Sequence, residues 1–302
     1  MNLDHLYYFK TLVETKSRND TARILSITQP TLSLALSKLE KELGVSLLEK
    51  KKGTVELTKD GKTFYEYVAT SLQFLDNGVS LLREKQGAFD RTEISIGAIY
   101  SVQDENWSRI MYEFRRQTHG AIRINVRQST TPGVLKYLKN GVVDVGFGGT
   151  MGPDPDINFF PCWGQEAVLA VNRLHPFSSR SEISLDELKD HYLISYNLKG
   201  PLGPELIALV KGHDLSIDYL YADEITLASI VAGNPDIMAI ACHSWLLESY
   251  SNELELVKIV EAPRMFRQLY MSSRANIELS PVVQTFLDVA IAYCQNRSDE
   301  CG

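Results

Sequence analysis

The hydrophobic pattern of this 302-residue chain changes abruptly near residue 92. Before that point, apolar residues recur at intervals of three and four, which is the spacing of amphipathic helices. From Glu93 onward, short apolar runs alternate with helical segments, which is typical of βαβ units and a mostly parallel sheet. One small core cannot accommodate both patterns, and the length of the chain also favours two or three domains.

The first segment predicts three helices. Apolar spacing places the first at 4–15 and the second at about 18–25. Thr28 is a good N-cap for a third helix, which runs to about Leu43 and ends at Gly44, where a left-handed cap is easiest. We therefore expect two helices joined by a tight turn, followed by a short hairpin.

Two helices joined by a tight turn can place the N-terminal part of the second helix in a DNA major groove. Hydroxyl and amide side chains there can bond base edges or phosphates. The hairpin carries three consecutive lysines, which suit phosphate contacts, although such a run can also be only a solvated turn. The residues that we expect to contact DNA are Arg18, Thr28, Gln29, Pro30, Thr31, Ser33, Leu34, Ser37, Lys38, Lys50, Lys51 and Lys52.

A long helix is predicted at about 59–87, with Thr58 as its N-cap. Its apolar positions alternate steps of three and four over about three heptads, which indicates a coiled-coil seam. A lone helix of this length would expose the seam, so it needs a partner. The partner is either the rest of the same chain or a second copy, and we favour the second copy. The seam consists of Tyr65, Val68, Leu72, Leu75, Val79 and Leu82.

The net charge of −7 argues at first sight against a nucleic-acid partner. The charge is, however, unevenly distributed. Residues 1–91 carry 14 Lys and Arg against 12 Asp and Glu, whereas residues 92–302 carry 17 against 26. The acidic surplus lies in the second segment, so any DNA contact is confined to the first.

The second segment predicts two α/β lobes in succession. The elements expected in the first are a strand at 94–99, a helix at 104–117, a strand at 122–126, a helix at 133–139 and a strand at 142–147. The order then repeats as a strand at 166–172, a helix at 184–190, a strand at 192–196, a helix at 203–211, a strand at 216–221, a helix at 224–232 and a strand at 237–242. The run 265–275 and a helix at 280–296 close the chain.

Ligands of open α/β sheets bind beyond the carboxyl ends of strands, often at helix N-termini that favour anions. Hydroxyls and free N–H groups at those positions suit a small carboxylate, such as an organic acid or an amino acid. Each residue alone could be only a cap or a turn former, but the converging set favours a cleft. The set is Tyr100, Ser101, Val102, Gln103, Gln128, Ser129, Thr130, Thr131, Phe147, Gly148, Gly149, Tyr196, Asn197 and Thr226.

No catalytic, metal-binding or cofactor motif is present in the sequence. The run Gly146-Phe147-Gly148-Gly149 lacks the lysine and the spacing of a phosphate loop, and no Gly-x-Ser-x-Gly elbow occurs. The six histidines are scattered, and the four cysteines form no pair with ligand spacing. We therefore expect no catalytic residue, no metal and no cofactor. A redox-sensing role for Cys162 or Cys242 stays open as an alternative.

No apolar run approaches the roughly 18 residues of a membrane span. The first residues also lack the basic and apolar regions of a signal peptide. These features favour a cytoplasmic protein without a membrane partner.

The segment 2–61 resembles the DNA-binding domain of the LysR-type transcriptional regulators. The resemblance rests on Leu6-Tyr7-Tyr8-Phe9, Ala22, Thr28-Gln29-Pro30-Thr31-Leu32-Ser33, Leu39-Glu40, Glu42-Leu43-Gly44-Val45, Leu47-Leu48, Lys50 and Leu57-Thr58-Lys59-Asp60-Gly61. Leu34 stands where a basic residue is frequent in the family, and Leu48 stands where Phe is usual. These departures leave the fold intact and the base preference open.

The resemblance implies an α/β chain with a winged helix-turn-helix at 1–58, in which the helix-turn-helix covers about 18–37. A dimerising linker helix at 59–88 would follow. A two-lobed effector-binding domain at 92–302, similar to periplasmic solute-binding proteins, would complete the chain. Lobe one would comprise 92–161 and 266–302, and lobe two 162–265.

The resemblance also implies double-stranded promoter DNA and a small-molecule effector as partners, and self-association as a dimer of dimers. RNA polymerase is a further candidate partner. Ser101 and Thr130 stand where the family places ligand-binding hydroxyls. Two alternatives stay open: a redox-sensing regulator of the same architecture, and a solute-binding or enzymatic α/β protein with an accessory head.

Overall fold

The computed structural model describes residues 1–51, 54–86 and 92–300, while the side chains of residues 50, 51, 54 and 297–300 lie outside the description. The described residues fall into two compact units. The first is drawn from 1–89 and 140–142, and the second from 90–139 and 143–302. Within the described ranges, no helix combines the length and the apolar character needed to cross a membrane.

The first unit contains the predicted winged helix-turn-helix, which is confirmed. Its elements are α1 (Leu3–Thr15), α2 (Arg18–Ile24), α3 (Gln29–Leu43), β1 (Leu48–Lys51), β2 (Thr54–Leu57) and α4 (Lys59–Lys85). The strands β1 and β2 pair antiparallel as the wing. We call the part from α1 to β2 the head and α4 the linker helix.

Local capping signals fix the helix boundaries in this unit. Ser17, Thr28 and Thr58 are the N-caps of α2, α3 and α4. Each hydroxyl accepts a hydrogen bond from the backbone N–H three residues further along, which satisfies a donor that the helix itself leaves free. Gly44 ends α3 with a φ of 71°, a left-handed conformation that glycine adopts at little cost.

A single apolar core stabilises the head. Its most buried members are Phe9, Leu12, Leu32, Leu36, Leu39, Leu47, Val68 and Leu72. Glu40 of α3 ties the wing to this core, because its Oε1 accepts the backbone N–H groups of Leu47 at 2.7 Å and Leu48 at 3.1 Å. The wing therefore packs with the helices around one core.

The linker helix divides its apolar seam between two environments. Val68 and Leu72 are buried in the head core. In contrast, Leu75, Val79 and Leu82 are 48%, 46% and 62% exposed. The expectation that the whole seam faces a second chain is therefore wrong for its first half, which packs inside the head. The second half remains open to solvent in the single chain.

A polar contact also joins the linker helix to the head. The hydroxyl of Tyr7 in α1 donates a hydrogen bond to the carboxylate of Asp76 in α4. This bond, aided by burial and by the negative charge, raises the pKa of Tyr7 to about 12. The helix is thus held to α1 by an apolar contact and, further along, by a hydrogen bond.

The second unit contains strands and helices in alternation. They are β3 (Glu93–Ala98), α5 (Glu105–Gln117), β4 (Arg123–Gln128), α6 (Thr131–Lys139), β5 (Val145–Gly148), β6 (Ile157–Gln165), β7 (Ala167–Asn172), β8 (Glu182–Ile183), β9 (Tyr192–Tyr196), α7 (Gly203–Val210), β10 (Ile217–Tyr221), α8 (Glu224–Gly233), β11 (Ile237–Cys242), α9 (Trp245–Glu248), β12 (Leu254–Ile259), β13 (Arg267–Arg274) and α10 (Pro281–Glu300).

These strands form two sheets, one in each lobe. The order is β4-β3-β5-β13-β6 in lobe one and β10-β9-β11-β7-β12-β8 in lobe two. Both sheets are mixed rather than mostly parallel, since β13 runs antiparallel to β5 and β6, and β7 runs antiparallel to β11 and β12. The two-lobed α/β architecture is confirmed, whereas the expected strand directions are corrected.

Some elements differ from the sequence prediction. The strands β6 and β12 have no predicted counterpart, and the helix expected at 184–190 is a short 3-10 turn at Leu185–Leu188. Because β6 stays in the sheet of lobe one through Gln165, the chain first crosses between the lobes after that residue rather than after residue 161.

Candidate ligand cleft and nucleic-acid interface

One face of α3 is open to solvent and carries most of the predicted DNA contacts. The opposite face, with Leu32, Leu36 and Leu39, is buried in the head core. The exposed members of the predicted set are Thr28, Gln29, Pro30, Thr31, Leu34, Ser37 and Lys38. Leu34 is 58% exposed, so an apolar side chain lies in the middle of a polar face.

Two predicted residues, Arg18 and Ser33, contact each other. Arg18 Nη1 donates a hydrogen bond to Ser33 Oγ at 2.8 Å, from α2 to α3. Arg18 Nε is buried and has no acceptor among the described residues. Ser33 therefore positions Arg18 at the edge of the exposed face.

The structure describes the wing lysines only in part. Lys50 and Lys51 belong to β1, but their side chains lie outside the described residues, as does all of Lys52. Their contacts with phosphates stay a prediction.

A cavity of about 270 Å³ opens between the two lobes of the second unit. Three residues of the predicted ligand set, Thr130, Tyr196 and Asn197, line it. The other lining residues are Pro132, Lys199, Gly200, Pro201, Leu202, Tyr221, Ala222, Glu224 and Arg267. Two helices begin at this cavity, α6 beside Thr130 and α8 at Glu224. Since helix N-termini carry partial positive charge, this arrangement favours an anion.

Ser101 and Thr131 lie just behind the cavity wall. Ser101 is buried, and its hydroxyl accepts a hydrogen bond from Arg267 Nη1 at 3.2 Å. Thr131 is buried at the start of α6, where its hydroxyl accepts the N–H of Gly149 at 3.2 Å. A methyl group added at Gly149 would lie 3.4 Å from Pro201 of the other lobe, so the two lobes approach each other closely at this glycine.

The remaining predicted residues have other surroundings. Gln128 Nε2 donates to Gln103 Oε1 at 3.0 Å, and the carbonyl of Tyr100 accepts the indole N–H of Trp245 at 3.3 Å. Ser129 packs so close to Gly133 that a Cβ at the glycine would meet its hydroxyl at 2.0 Å.

Two further members of the set lie away from the cavity wall. Gly148 lies in β5 against Ile99, and Thr226 is exposed on α8. Thr226 N–H donates to the capping Asp223 at 2.8 Å.

Val102 and Phe147 belong to the core of lobe one. Both are fully buried, and the ring of Phe147 meets that of Trp107 edge-on at 5.2 Å. Their side chains therefore have a packing role, and a ligand contact at these two positions stays a prediction. Phe147 follows the alternation of β5, in which its side chain is directed into the aromatic core rather than toward the cleft.

Arg267 lines the cavity and makes three side-chain hydrogen bonds, but the sequence patterns do not predict it as a site residue. It is 7% exposed, and its Nη1 donates to Glu224 at 2.9 Å, to Ser101 at 3.2 Å and to Gln165 at 3.3 Å. Burial is the largest single effect and lowers the pKa of the Arg267 guanidinium, but the charges of Glu224, Cys242 and Tyr196 and the hydrogen bond to Glu224 together outweigh it, so the pKa lies above its ordinary value. The sequence does contain one indication of this residue, a charged side chain at the start of an apolar strand, because an arginine buried there needs a partner of opposite charge.

The ion pair of Arg267 and Glu224 joins the two lobes. Arg267 begins β13 in the sheet of lobe one, and Glu224 begins α8 in lobe two. Both side chains are more than nine-tenths buried. A buried pair of this kind resists separation, since either charge left alone would be strongly destabilising.

Tyr196 and Cys242 lie next to this ion pair in lobe two. The Tyr196 hydroxyl accepts the backbone N–H of Cys242 at 2.9 Å. Burial raises the pKa of Tyr196 well above 10, and it raises the pKa of the Cys242 thiol to about 12, although Arg267 lowers the latter in part. Both groups are therefore neutral at physiological pH.

The other thiols are no better suited to oxidation. A hydrogen bond with Cys294, together with burial, raises the pKa of Cys162. Cys301 lies outside the described residues. Since the thiolate is the reactive form, these surroundings count against the redox-sensing alternative.

The Cys242 thiol should react slowly with iodoacetamide in the native chain at pH 8. A pKa of about 12 lowers its thiolate fraction roughly a thousandfold relative to a free cysteine, and burial restricts access further. Mass spectrometry of alkylated peptides, with the same chain in urea as the control, measures this. Complete labelling of native Cys242 within minutes would contradict the burial described above.

Comparisons with known proteins establish the family. Residues 3–62 match the bacterial regulatory helix-turn-helix protein, lysR family, and residues 88–295 match the LysR substrate binding domain. The second match alone covers more than half of the chain. The chain belongs to the LysR family, whose members are transcriptional regulators with an N-terminal helix-turn-helix and a C-terminal effector-binding domain.

Individual relatives agree with this assignment. The chain is 33% identical to the HTH-type transcriptional regulator BenM of Acinetobacter baylyi over 198 residues, which are 65% of this chain and 64% of BenM. It is 28% identical to the HTH-type transcriptional regulator CatR of Pseudomonas putida over 291 residues, 95% of this chain and 97% of CatR. The fold is similar to that of full-length CbnR complexed with its target DNA, with a TM-score of 0.71, 20% identity, and coverage of 97% of this chain and 100% of CbnR.

Proposed function

We propose that this LysR-family chain regulates transcription by binding duplex promoter DNA with α3 and the wing, in response to a small anionic effector that binds between the two lobes. The observation that carries the proposal is the exposed polar face of α3, opposite the face buried in the head core. That CbnR has been solved with its target DNA supports the same use of this fold.

The side chains on this face suit two kinds of contact. Gln29 can bond an adenine edge through both atoms of its amide, and Leu34 can contact a thymine methyl. Arg18, Lys38 and the wing lysines Lys50, Lys51 and Lys52 suit phosphates. The hydroxyls of Thr28, Thr31, Ser33 and Ser37, with Pro30 in the first turn, complete the proposed interface.

The proposed effector is an organic acid or an amino acid. The cleft has a volume of about 270 Å³ and contains Lys199, Arg267 and the starts of two helices. Ligand binding would change the relative angle of the lobes, which requires unequal affinity for the two arrangements. The change would alter how dimers pack into a dimer of dimers, with RNA polymerase as a further candidate partner.

We further propose that the chain acts in the cytoplasm as a regulator rather than as an enzyme. A solute-binding or enzymatic protein with an accessory head is the alternative. Turnover of a metabolite by the chain would favour that alternative, whereas DNA binding that depends on a metabolite would favour the regulator.

Lys38→Ala and Gln29→Ala should affect DNA binding differently. Loss of a phosphate contact at Lys38 should weaken binding to target and random duplexes alike. It should also reduce the slope of log affinity against log salt concentration by about 1 in magnitude. Loss of a base contact at Gln29 should lower affinity for the target alone, by about 1–3 kcal/mol. Fluorescence anisotropy with DNA flanking the chain's own gene, at two salt concentrations, measures both.

Lys41→Ala is the matched control, because Lys41 is exposed on α3 near its C-terminal end and outside the predicted set. It should leave both affinities nearly unchanged. The proposed function fails if the unsubstituted chain shows no salt-sensitive, sequence-selective binding in the presence or absence of a metabolite pool.

A further inference from the structure

We propose that Glu224 is a built-in competitor for the effector: its carboxylate occupies Arg267 in the free chain, and a ligand carboxylate replaces it there and breaks the ion pair that joins the two lobes. This inference rests on the proposed effector cleft and adds the chemistry that the cleft recognises. It makes Arg267 the anion receptor and Glu224 the switch.

Arg267 has donors suited to a second anion. Glu224, Ser101 and Gln165 all accept from Nη1, whereas the buried Nε has no acceptor among the described residues. A guanidinium presents its donors in a planar fork that matches both oxygens of a carboxylate. Since Arg267 lines the cavity, a carboxylate inside the cavity can approach its guanidinium at the position that Glu224 occupies on Nη1.

The charges of the cavity wall indicate that a ligand carboxylate would replace Glu224 on Arg267 rather than bind Arg267 together with Glu224. Glu224 is the one carboxylate among the twelve lining residues, and Arg267 and Lys199 are the cations. A ligand carboxylate on Arg267 would lie beside Glu224, and two carboxylates at one site repel each other. Binding of the ligand therefore weakens the contact between Glu224 and Arg267.

Glu224 has a second environment that stabilises its charge. It is the first residue of α8, where the partial positive charge of a helix N-terminus favours a carboxylate. A buried and unpaired Glu224 would be strongly destabilising, so the displaced side chain must reach water. Since Glu224 also lines the cavity, it can turn toward the solvent there, and the ion pair that holds α8 in lobe two to β13 in lobe one is then lost. Ligand binding and lobe movement are thereby coupled.

A second contact between the lobes provides a reporter. Trp245 of lobe two donates its indole N–H to the carbonyl of Tyr100 in lobe one at 3.3 Å, and its ring is partly exposed. Separation of the lobes breaks this bond and changes the environment of the indole. The fluorescence of Trp245, isolated by comparison with a Trp245→Phe chain because Trp107 and Trp163 also emit, therefore follows the movement.

The test measures anion binding to the full chain without DNA. The probes are acetate, succinate and benzoate, with benzamide and benzylamine as neutral and cationic counterparts of benzoate. In Glu224→Gln the internal competitor loses its charge and the buried Arg267 is left without a counter-charge, which lowers the midpoint of thermal unfolding. At least one carboxylate should therefore bind at least tenfold more tightly than to the unsubstituted chain and raise that midpoint. Benzamide and benzylamine should show no such gain. Glu205→Gln, which removes an exposed carboxylate from the neighbouring α7, should behave like the unsubstituted chain.

The double substitution Arg267→Gln and Glu224→Gln removes the receptor while leaving no unpaired buried charge, so the chain stays folded. It should lose the gain in carboxylate binding entirely. The inference is overturned if Glu224→Gln binds no carboxylate more tightly than the unsubstituted chain, or if the double substitution retains the gain. Both results are obtained without DNA, so they are distinguishable from a failure of sequence-selective DNA binding.

Discussion

A chain with Leu75→Gln, Val79→Gln and Leu82→Gln should lose its helix-mediated dimer and bind its target duplex at least a hundredfold more weakly. The three side chains are about half exposed and follow one another at steps of four and three on α4. Burial of each against a second copy would contribute about 1.5–3 kcal/mol. Joining two heads raises apparent affinity by about 10²–10⁴-fold without any new contact with DNA.

Light scattering after size exclusion gives the mass of the particle, and anisotropy gives the affinity. Tyr67→Gln is the matched control, because Tyr67 is 71% exposed on the same helix but outside the seam. Val68 and Leu72 are unsuitable for this test, since they are part of the head core. An unchanged mass together with unchanged affinity would show that α4 does not join the subunits.

Gly61→Ala should destabilise the head severely. A Cβ at this position would lie 2.0 Å from the carbonyl oxygen of Leu47 and 2.9 Å from its carbon. The same oxygen accepts the backbone N–H of Thr58 at 3.0 Å. Moving the Leu47 carbonyl away from an added Cβ would therefore break this hydrogen bond. Overpacking costs typically about 1–3 kcal/mol, and the cost is expected at the upper end of that range because backbone rather than a side chain must move.

Thermal unfolding followed by circular dichroism measures the effect. A loss of that size lowers the midpoint of a domain of 60–100 residues by roughly 10 °C or more. Gly78→Ala is a control in the same helix, since a Cβ there meets nothing within 4 Å. It should stabilise the helix by up to about 1 kcal/mol. Equal midpoints for the two variants would refute the steric explanation.

The head is largely predictable because its determinants are local in sequence. Thr28 and Thr58 cap helices that begin at the next residue, and Gly44 ends α3 in a conformation that suits glycine. The apolar spacing of α4 predicts its seam but not what covers each part of it. Val68 and Val79 belong to the same pattern of threes and fours, yet the first is buried in the head and the second is about half exposed. Spacing alone does not say which turn packs within the head.

The second unit is less predictable because its determinants are distant in sequence. The strand β6 contains Pro161 and pairs with β13, over one hundred residues later. Arg267 bonds Ser101 across 166 positions and Gln165 across 102. Local patterns identify Thr130, Tyr196 and Asn197 near strand ends, but they cannot identify the cation that comes to the same cavity from another sheet.

The linker helix sets a geometric limit on how this regulator can work. In this one continuous helix, Val68 and Leu72 are buried in the head core, and Asp76 accepts a hydrogen bond from Tyr7. Leu75, Val79 and Leu82 of the same helix are exposed. These contacts fix the head to the first half of the helix. If the exposed second half pairs with that of a second copy, as we expect, the paired helices would set the distance between the two exposed faces of α3. Moving the half-sites of an operator apart by half a turn of DNA should then prevent both heads from binding at once, and a signal would change their spacing by moving the paired helices.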